Sequence, residues 1–216
     1  MPLFRSVSRK VFSDSSAYRS PLSGWRGFAL IIGAVVAVLL DGWAYQHISW
    51  PGEGTDLHKM FRVLGYLPMT ILLCLGISAI DRARGVTTGW MVFISAAASG
   101  IAAEILKMLI GRERPIAHDG VNYFKPFLQG FVDHSNLSLP SSHAAVAFGT
   151  AWMLCYCYPK GKWLWIFAAC ACAWTRLAAR AHWLSDCYAA AVVALFTAWL
   201  IRLLIKPRRF ANLPVH

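Results

Sequence analysis

Gly89–Ile110 reads GWMVFISAAASGIAAEILKMLI, and its only charged residues are Glu104 and Lys107, both near its end. Crossing the apolar part of a bilayer takes about 20 helical residues. In lipid the backbone polar groups must be satisfied within the segment, which a helix achieves. The stretch is therefore expected to be a membrane-spanning helix. Five further apolar runs obey the same rule, at approximately Gly27–Tyr45, Leu64–Ile80, His143–Tyr158, Trp163–Ala181 and Asp186–Ile205. The run from His143 is short and needs its flanks to span. The expected fold class is all-α, a six-transmembrane helical bundle with a long outer loop, 111–140, between spans 3 and 4.

Composition supports a membrane chain. Hydrophobic residues make up 57% and charged residues 14%, whereas a soluble domain carries about 25% charged residues. The mean hydropathy is +0.50. The net charge of +11 would suit a nucleic-acid binder, but the six apolar runs exclude that class. Orientation in the membrane and an anionic substrate remain as explanations. The six cysteines, Cys74, Cys155, Cys157, Cys170, Cys172 and Cys187, fall in or beside apolar runs. Their C-x-C spacing fits helix packing rather than a zinc or redox site, so no disulfide and no metal site is expected. The first apolar run starts near Phe28, late for a cleavable signal, and is expected to be a retained span.

Three parts follow: a basic N-terminal arm (1–26), a membrane domain (27–205) and a basic tail (206–216). Lys/Arg bias sets orientation. With the N-terminus cytoplasmic, the inner segments hold 13 of the 21 Lys and Arg residues. Both termini are then inside. The outer face keeps Lys59, Arg62, Lys107, Arg112, Arg114, Lys125, Arg176 and Arg180, together with six of the seven histidines. Cations and imidazoles gathered on one face suggest an anion site there.

Three segments carry that chemistry. Lys107-Met-Leu-Ile-Gly-Arg-Glu-Arg114-Pro115 ends the third span. If helical, Lys107 and Arg114 share a face, and Pro115 turns the chain away. Pro140-Ser141-Ser142-His143 opens the fourth span. Ser141 or Ser142 suits an N-cap, and the helix N-terminus offers N–H groups and a positive dipole end to phosphate. Thr175-Arg176, five residues, His182, three residues and Asp186 link the fifth and sixth spans. His182 and Asp186 at i, i+4 share a face. A carboxylate on one ring nitrogen frees the other to attack, and Arg176 brings a planar fork suited to phosphate. Each segment alone has an ordinary reading as membrane-edge anchors, a helix cap or a surface pair. Accident does not explain all three on one membrane face.

The ordered set resembles the type 2 phosphatidic-acid phosphatase superfamily, which carries Lys-x6-Arg-Pro, Pro-Ser-Gly-His and Ser-Arg-x5-His-x3-Asp. The first motif matches fully, whereas Ser142 replaces the usual Gly and Thr175 the usual Ser. The resemblance implies that His182 is the nucleophile and Asp186 its orienting partner. It assigns His143 as the acid and base for the leaving oxygen and for water. Lys107, Arg114, Arg176, Ser141 and the backbone at Ser142 would bind phosphate. Thr175, Arg112 and Arg180 are possible auxiliaries, the two arginines toward a second phosphate. No cofactor and no metal is expected, because three cations can offset the phosphate charge.

The implied activity is hydrolysis of a lipid phosphate or diphosphate through a phospho-histidine, with the lipid substrate held in the bilayer. Undecaprenyl diphosphate, phosphatidic acid, phosphatidylglycerol phosphate and lipid A are candidates. A lipid phosphotransferase of the same family, a non-catalytic lipid-binding or transport protein, and a vanadate haloperoxidase are the alternatives. Glu104 is expected to pair with Lys107, and Asp41 with an outward Arg or Lys. The aromatic loop, with Tyr123, Phe124, Lys125, Phe127 and Phe131, is read as a lid or interfacial segment.

Overall fold

The computed structural model describes residues 20–48 and 54–205. The arm before residue 20 and the tail after 205 lie outside the described residues. The described chain is helical: α1 Trp25–Leu39, α2 Asp41–His47, α3 Asp56–Val63, α4 Leu67–Ile80, α5 Gly85–Ile110, α6 Gln129–Val132, α7 Ser142–Cys157, α8 Lys162–Ala178 and α9 Leu184–Leu204. Each of the six apolar runs contains a helix, so the all-α class holds.

The runs are not six simple rods. Among the described residues, only α5 and α9 are long and apolar enough to span on their own. The first run breaks at Leu40, where α1 and α2 bend by 51°, and α3 meets α4 at 69°. Counting each bent pair as one span gives up to four candidates. With 16 and 17 residues, α7 and α8 would rise roughly 24–26 Å at 1.5 Å per residue, short of a roughly 30 Å hydrocarbon core.

Burial explains how a short helix can sit in such a bundle. The middle of α7, from Ala144 to Ala151, is buried without a break, and it packs on α5, α8 and α9. Small residues make this possible. In an apolar surround, helices associate through close backbone approach and interhelical hydrogen bonds. The Ser95 hydroxyl donates to the Gly149 carbonyl at 2.8 Å, and the hydroxyls of Thr70 and Thr150 meet at 3.3 Å. Outward faces are apolar: Phe28, Ile31, Val35 and Leu39 on α1, Leu72 on α4, Trp90 and Ile101 on α5, and Phe167 on α8 are exposed. Such a belt suits lipid rather than water.

Gly149 marks a close approach between α7 and α5. A Cβ there would lie 2.6 Å from the Ser99 hydroxyl and 2.8 Å from the Ser95 carbonyl. Gly149→Ala is expected to cost about 1–3 kcal/mol by overpacking, read as a lower melting temperature in detergent. Gly76→Ala, whose Cβ would meet nothing within 4 Å, is the control and should leave melting unchanged or raised.

The segment between α5 and α7 is a folded cap rather than a free loop. It holds a 3-10 turn at Pro115–His118, the short α6, and isolated bridges Arg112–Phe124 and Glu113–Leu137. Lys125 ties its far end by donating to Asp133 Oδ2 at 2.6 Å and to the carbonyls of Asp133 and Ser135 at 3.0 Å each. That ammonium holds the Asp133 carboxyl below the usual range. Phe127 and Val132 project outward from this cap.

Candidate active site

The three motif segments meet at one end of the bundle, each by a different local device. α5 stops at Gly111, whose φ of 71° is a left-handed C-cap natural to glycine. Arg114 is therefore not on the helix with Lys107. It sits beyond the turn in extended backbone, with φ −69° and ψ 144°. The expected shared helical face is replaced by a chain reversal that serves the same end. Lys107 donates to Glu104 Oε1 at 3.0 Å and to the Ser142 hydroxyl at 2.6 Å, and Ser142 in turn donates to Glu104. Ser142 is the first residue of α7. Its helical backbone needs no glycine, and its side chain links two motif segments.

Ser141 is the N-cap of α7, yet its side chain makes no capping bond. Its buried hydroxyl has no hydrogen-bond partner, and neither has His143 Nε2, Arg62 Nε, Arg114 Nε or Arg176 Nε. Buried polar atoms are nearly always paired. The charges of Arg176, Arg62, His182 and Lys107 all act on His143. Those of Arg62 and Arg114 act on Arg176. One cationic cup thus gathers side chains from α3, α5, the cap, α7 and α8.

His182 lies in the turn between α8 and α9 and is 5% exposed. Its Nδ1 meets the Ser138 carbonyl at 2.9 Å. A carbonyl only accepts, so Nδ1 carries the proton and Nε2 keeps its lone pair. Asp186 Oδ2 stands 3.6 Å from Nδ1, too far for a hydrogen bond. The cap carbonyl, not the expected carboxylate, fixes the tautomer. Asp186 acts at ion-pair distance and accepts from the Trp183 N–H at 2.9 Å. Burial pushes the His182 imidazole below its usual value, opposed by the Asp186 carboxylate.

The auxiliaries take other roles. Arg112 is 5% exposed and its fork is spent inside the protein. It donates to Asp41 Oδ2 at 2.8 Å, Asp186 Oδ1 at 2.9 Å, the Ser185 hydroxyl at 2.6 Å, and twice to Asn122 Oδ1. It cannot also hold a second phosphate. The Thr175 hydroxyl donates to the Cys172 carbonyl at 2.6 Å. Arg180 stacks over the Tyr45 ring at 4.8 Å. Sequence reading paired Glu104 with Lys107, and anticipated an Arg or Lys partner for Asp41. Nothing in the sequence singles out Ser138, Ser185 or Asn122, whereas His58 and Arg62 belong to the outer cluster of cations and imidazoles. Their spacing of four also puts His58 and Arg62 on one helical face.

A family model described as the PAP2 superfamily matches residues 88–210. The chain belongs to the PAP2 superfamily. Comparisons with curated proteins and with solved structures gave no match. The PAP2 match contains all three motifs and leaves α1 to α4 outside it. PAP2 proteins are in general phosphatases acting on phosphate esters, and apolar helices compatible with membrane spans suit such an enzyme in a bilayer.

Proposed function

We propose that the protein is an integral membrane phosphatase that hydrolyses a lipid phosphate or lipid diphosphate through a phospho-histidine at His182. The observation that carries this reading is the set of buried, unpartnered polar atoms on Arg114, Ser141, His143 and Arg176 beside an imidazole whose tautomer is set for attack. Phosphoryl transfer is catalysed mainly by positioning and by offsetting charge on the equatorial oxygens. Arg114, Arg176, Lys107, the Ser141 hydroxyl and the first N–H groups of α7 would do this without a metal ion. His182 Nε2 attacks phosphorus, and the bond to the leaving oxygen breaks as His143 gives it a proton. His143 then takes a proton from water, which attacks the phospho-histidine and releases phosphate.

In this proposal the six apolar runs cross the membrane, with α7 and α8 spanning through their flanks, and both termini are cytoplasmic. The cup opens at the outer rim. The lipid tail stays in the bilayer while its headgroup enters.

The test is phosphate release in detergent from phosphatidic acid, phosphatidylglycerol phosphate, lipid A and undecaprenyl diphosphate, with and without EDTA. At least one lipid should be turned over, at a rate EDTA leaves within about two-fold. No release from any of them would refute the lipid-phosphatase reading, and loss with EDTA restored by Mg²⁺ would refute the metal-free mechanism. Phosphate appearing on an added alcohol instead of water would convert the reading to a phosphotransferase.

A further inference from the structure

α3, Asp56–Val63, lies outside the residues that match the family, yet it is built into the cup. His58 is 3% exposed, and its Nε2 donates to the Thr175 carbonyl at 3.1 Å, one residue before Arg176. One turn further on, the Arg62 carbonyl lies 3.9 Å from Cys172 Sγ, and so does the His143 carbonyl. Gly65 holds the following turn against the site. A Cβ there would come within 2.7 Å of both Cys172 Sγ and the His143 carbonyl. Tyr66 then sets its ring edge-on to the His143 imidazole, with centroids 4.7 Å apart. The Arg62 guanidinium carbon lies 5.9 Å from the centroid of the same Tyr66 ring. Arg62 is thereby fixed on the His143 side of the cup, where the leaving oxygen departs.

Arg62 has a buried Nε with no partner and no acidic side chain paired with it among the described residues. The residue as a whole is half-buried, and a guanidinium held partly out of water with no anion beside it is costly. Charge adds to the argument. A phosphate monoester carries up to two negative charges near neutral pH, which Arg114 and Arg176 can match, while Lys107 is already paired with Glu104. A diphosphate monoester brings a further negative charge, placed beyond the bridging oxygen. We propose that Arg62 binds the second, non-transferred phosphate of a diphosphate ester, and so selects lipid diphosphates over lipid monophosphates. The inference rests on the phosphatase reading for its catalytic consequence alone. In that reaction the bond from the terminal phosphorus to the bridging oxygen breaks, and His143 protonates that oxygen. The lipid monophosphate leaves against Arg62, and water completes the release of inorganic phosphate.

Binding and turnover separate the two claims. In titration calorimetry on the full chain in detergent, inorganic pyrophosphate should bind at least about ten-fold tighter than orthophosphate. Arg62→Gln should bring the ratio close to one, and Arg62→Lys should keep part of it. In turnover, the kcat/KM ratio of farnesyl diphosphate to farnesyl phosphate should fall about ten-fold or more in Arg62→Gln, mainly through KM. No pyrophosphate preference in the wild type overturns the proposal. So does a preference that survives Arg62→Gln, or that Arg62→Lys loses as completely as Arg62→Gln. If the pyrophosphate preference is present but neither farnesyl substrate nor any lipid named above is hydrolysed, the diphosphate site stands and the phosphatase reading falls.

Discussion

His182→Ala is expected to lower phosphate release by about 10⁴-fold or more, because it removes the bond-forming atom while leaving the cationic cup intact. His143→Ala should differ in kind. The first transfer slows, and the phospho-enzyme, once formed, lacks the base that activates water. A trapped phosphoryl group that is stable in alkali and lost in acid should therefore accumulate on His143→Ala and be absent from His182→Ala. Equal losses with no trapped phosphoryl group in either variant would point to direct attack by water. The pH profile gives a second readout. Burial holds the His182 imidazole below its usual value, so at neutral pH it is the free base and nucleophilic. The acid limb that His182 contributes should therefore lie below the ordinary imidazole value of about 6.5, while loss of the proton that His143 donates sets a separate limb on its alkaline side. Along the acid limb, activity should be lost as pH falls through the lower, folded value and Nε2 takes a proton. An acid limb centred above about 6.5 would mean that His182 is not the group being titrated.

The helices were legible because long apolar runs write a strong signal. Apolar runs such as Gly89–Ile110 have few charges, and each run contains a helix in the structure. What the runs concealed was their breaks. Apolarity does not mark Leu40 or Gly65, and at Gly65 the close approach to His143 and Cys172 is visible only in the fold. In the site, side chains with fixed spacing were readable, and Lys107, Arg114, Ser141, His143, Arg176, His182 and Asp186 do surround one cup. The backbone partner was not readable. Any residue supplies a carbonyl, so nothing distinguishes Ser138 in the sequence as the acceptor for His182. Arg112 was misread for a related reason. A basic residue beside a phosphate motif looks like an anion binder until Asp41, more than seventy positions upstream, is seen to occupy its guanidinium.

That guanidinium carries the second large effect. Arg112 lies between two buried carboxylates, Asp41 at 3% exposed and Asp186 at 0%, and is the cation paired with both. Asp41 also accepts from the Ser185 N–H at 2.8 Å and its hydroxyl at 2.6 Å, which ties α2 to the start of α9. Above the guanidinium lies the Trp183 ring, 4.8 Å away. Arg112→Met preserves much of the volume but leaves two buried negative charges facing each other. Breaking a buried pair in this way costs about 3–5 kcal/mol, and here one cation serves two partners. Arg112→Met is therefore expected to melt at a markedly lower temperature and to lose about 100-fold or more in turnover, because Asp186 and the Trp183 turn position His182. Arg112→Lys should rescue little, since a single ammonium cannot span Asp41, Asp186 and Asn122 as a planar fork does. The double variant Arg112→Met/Asp41→Asn removes one of the stranded charges. It should recover a clear part of the lost stability while turnover stays low, because Asp186 remains unpaired. If the double variant is no more stable than Arg112→Met alone, the cost lies in packing against Trp183 rather than in stranded charge. The ion-pair account of how α2, the cap and the catalytic turn are held together would then fail.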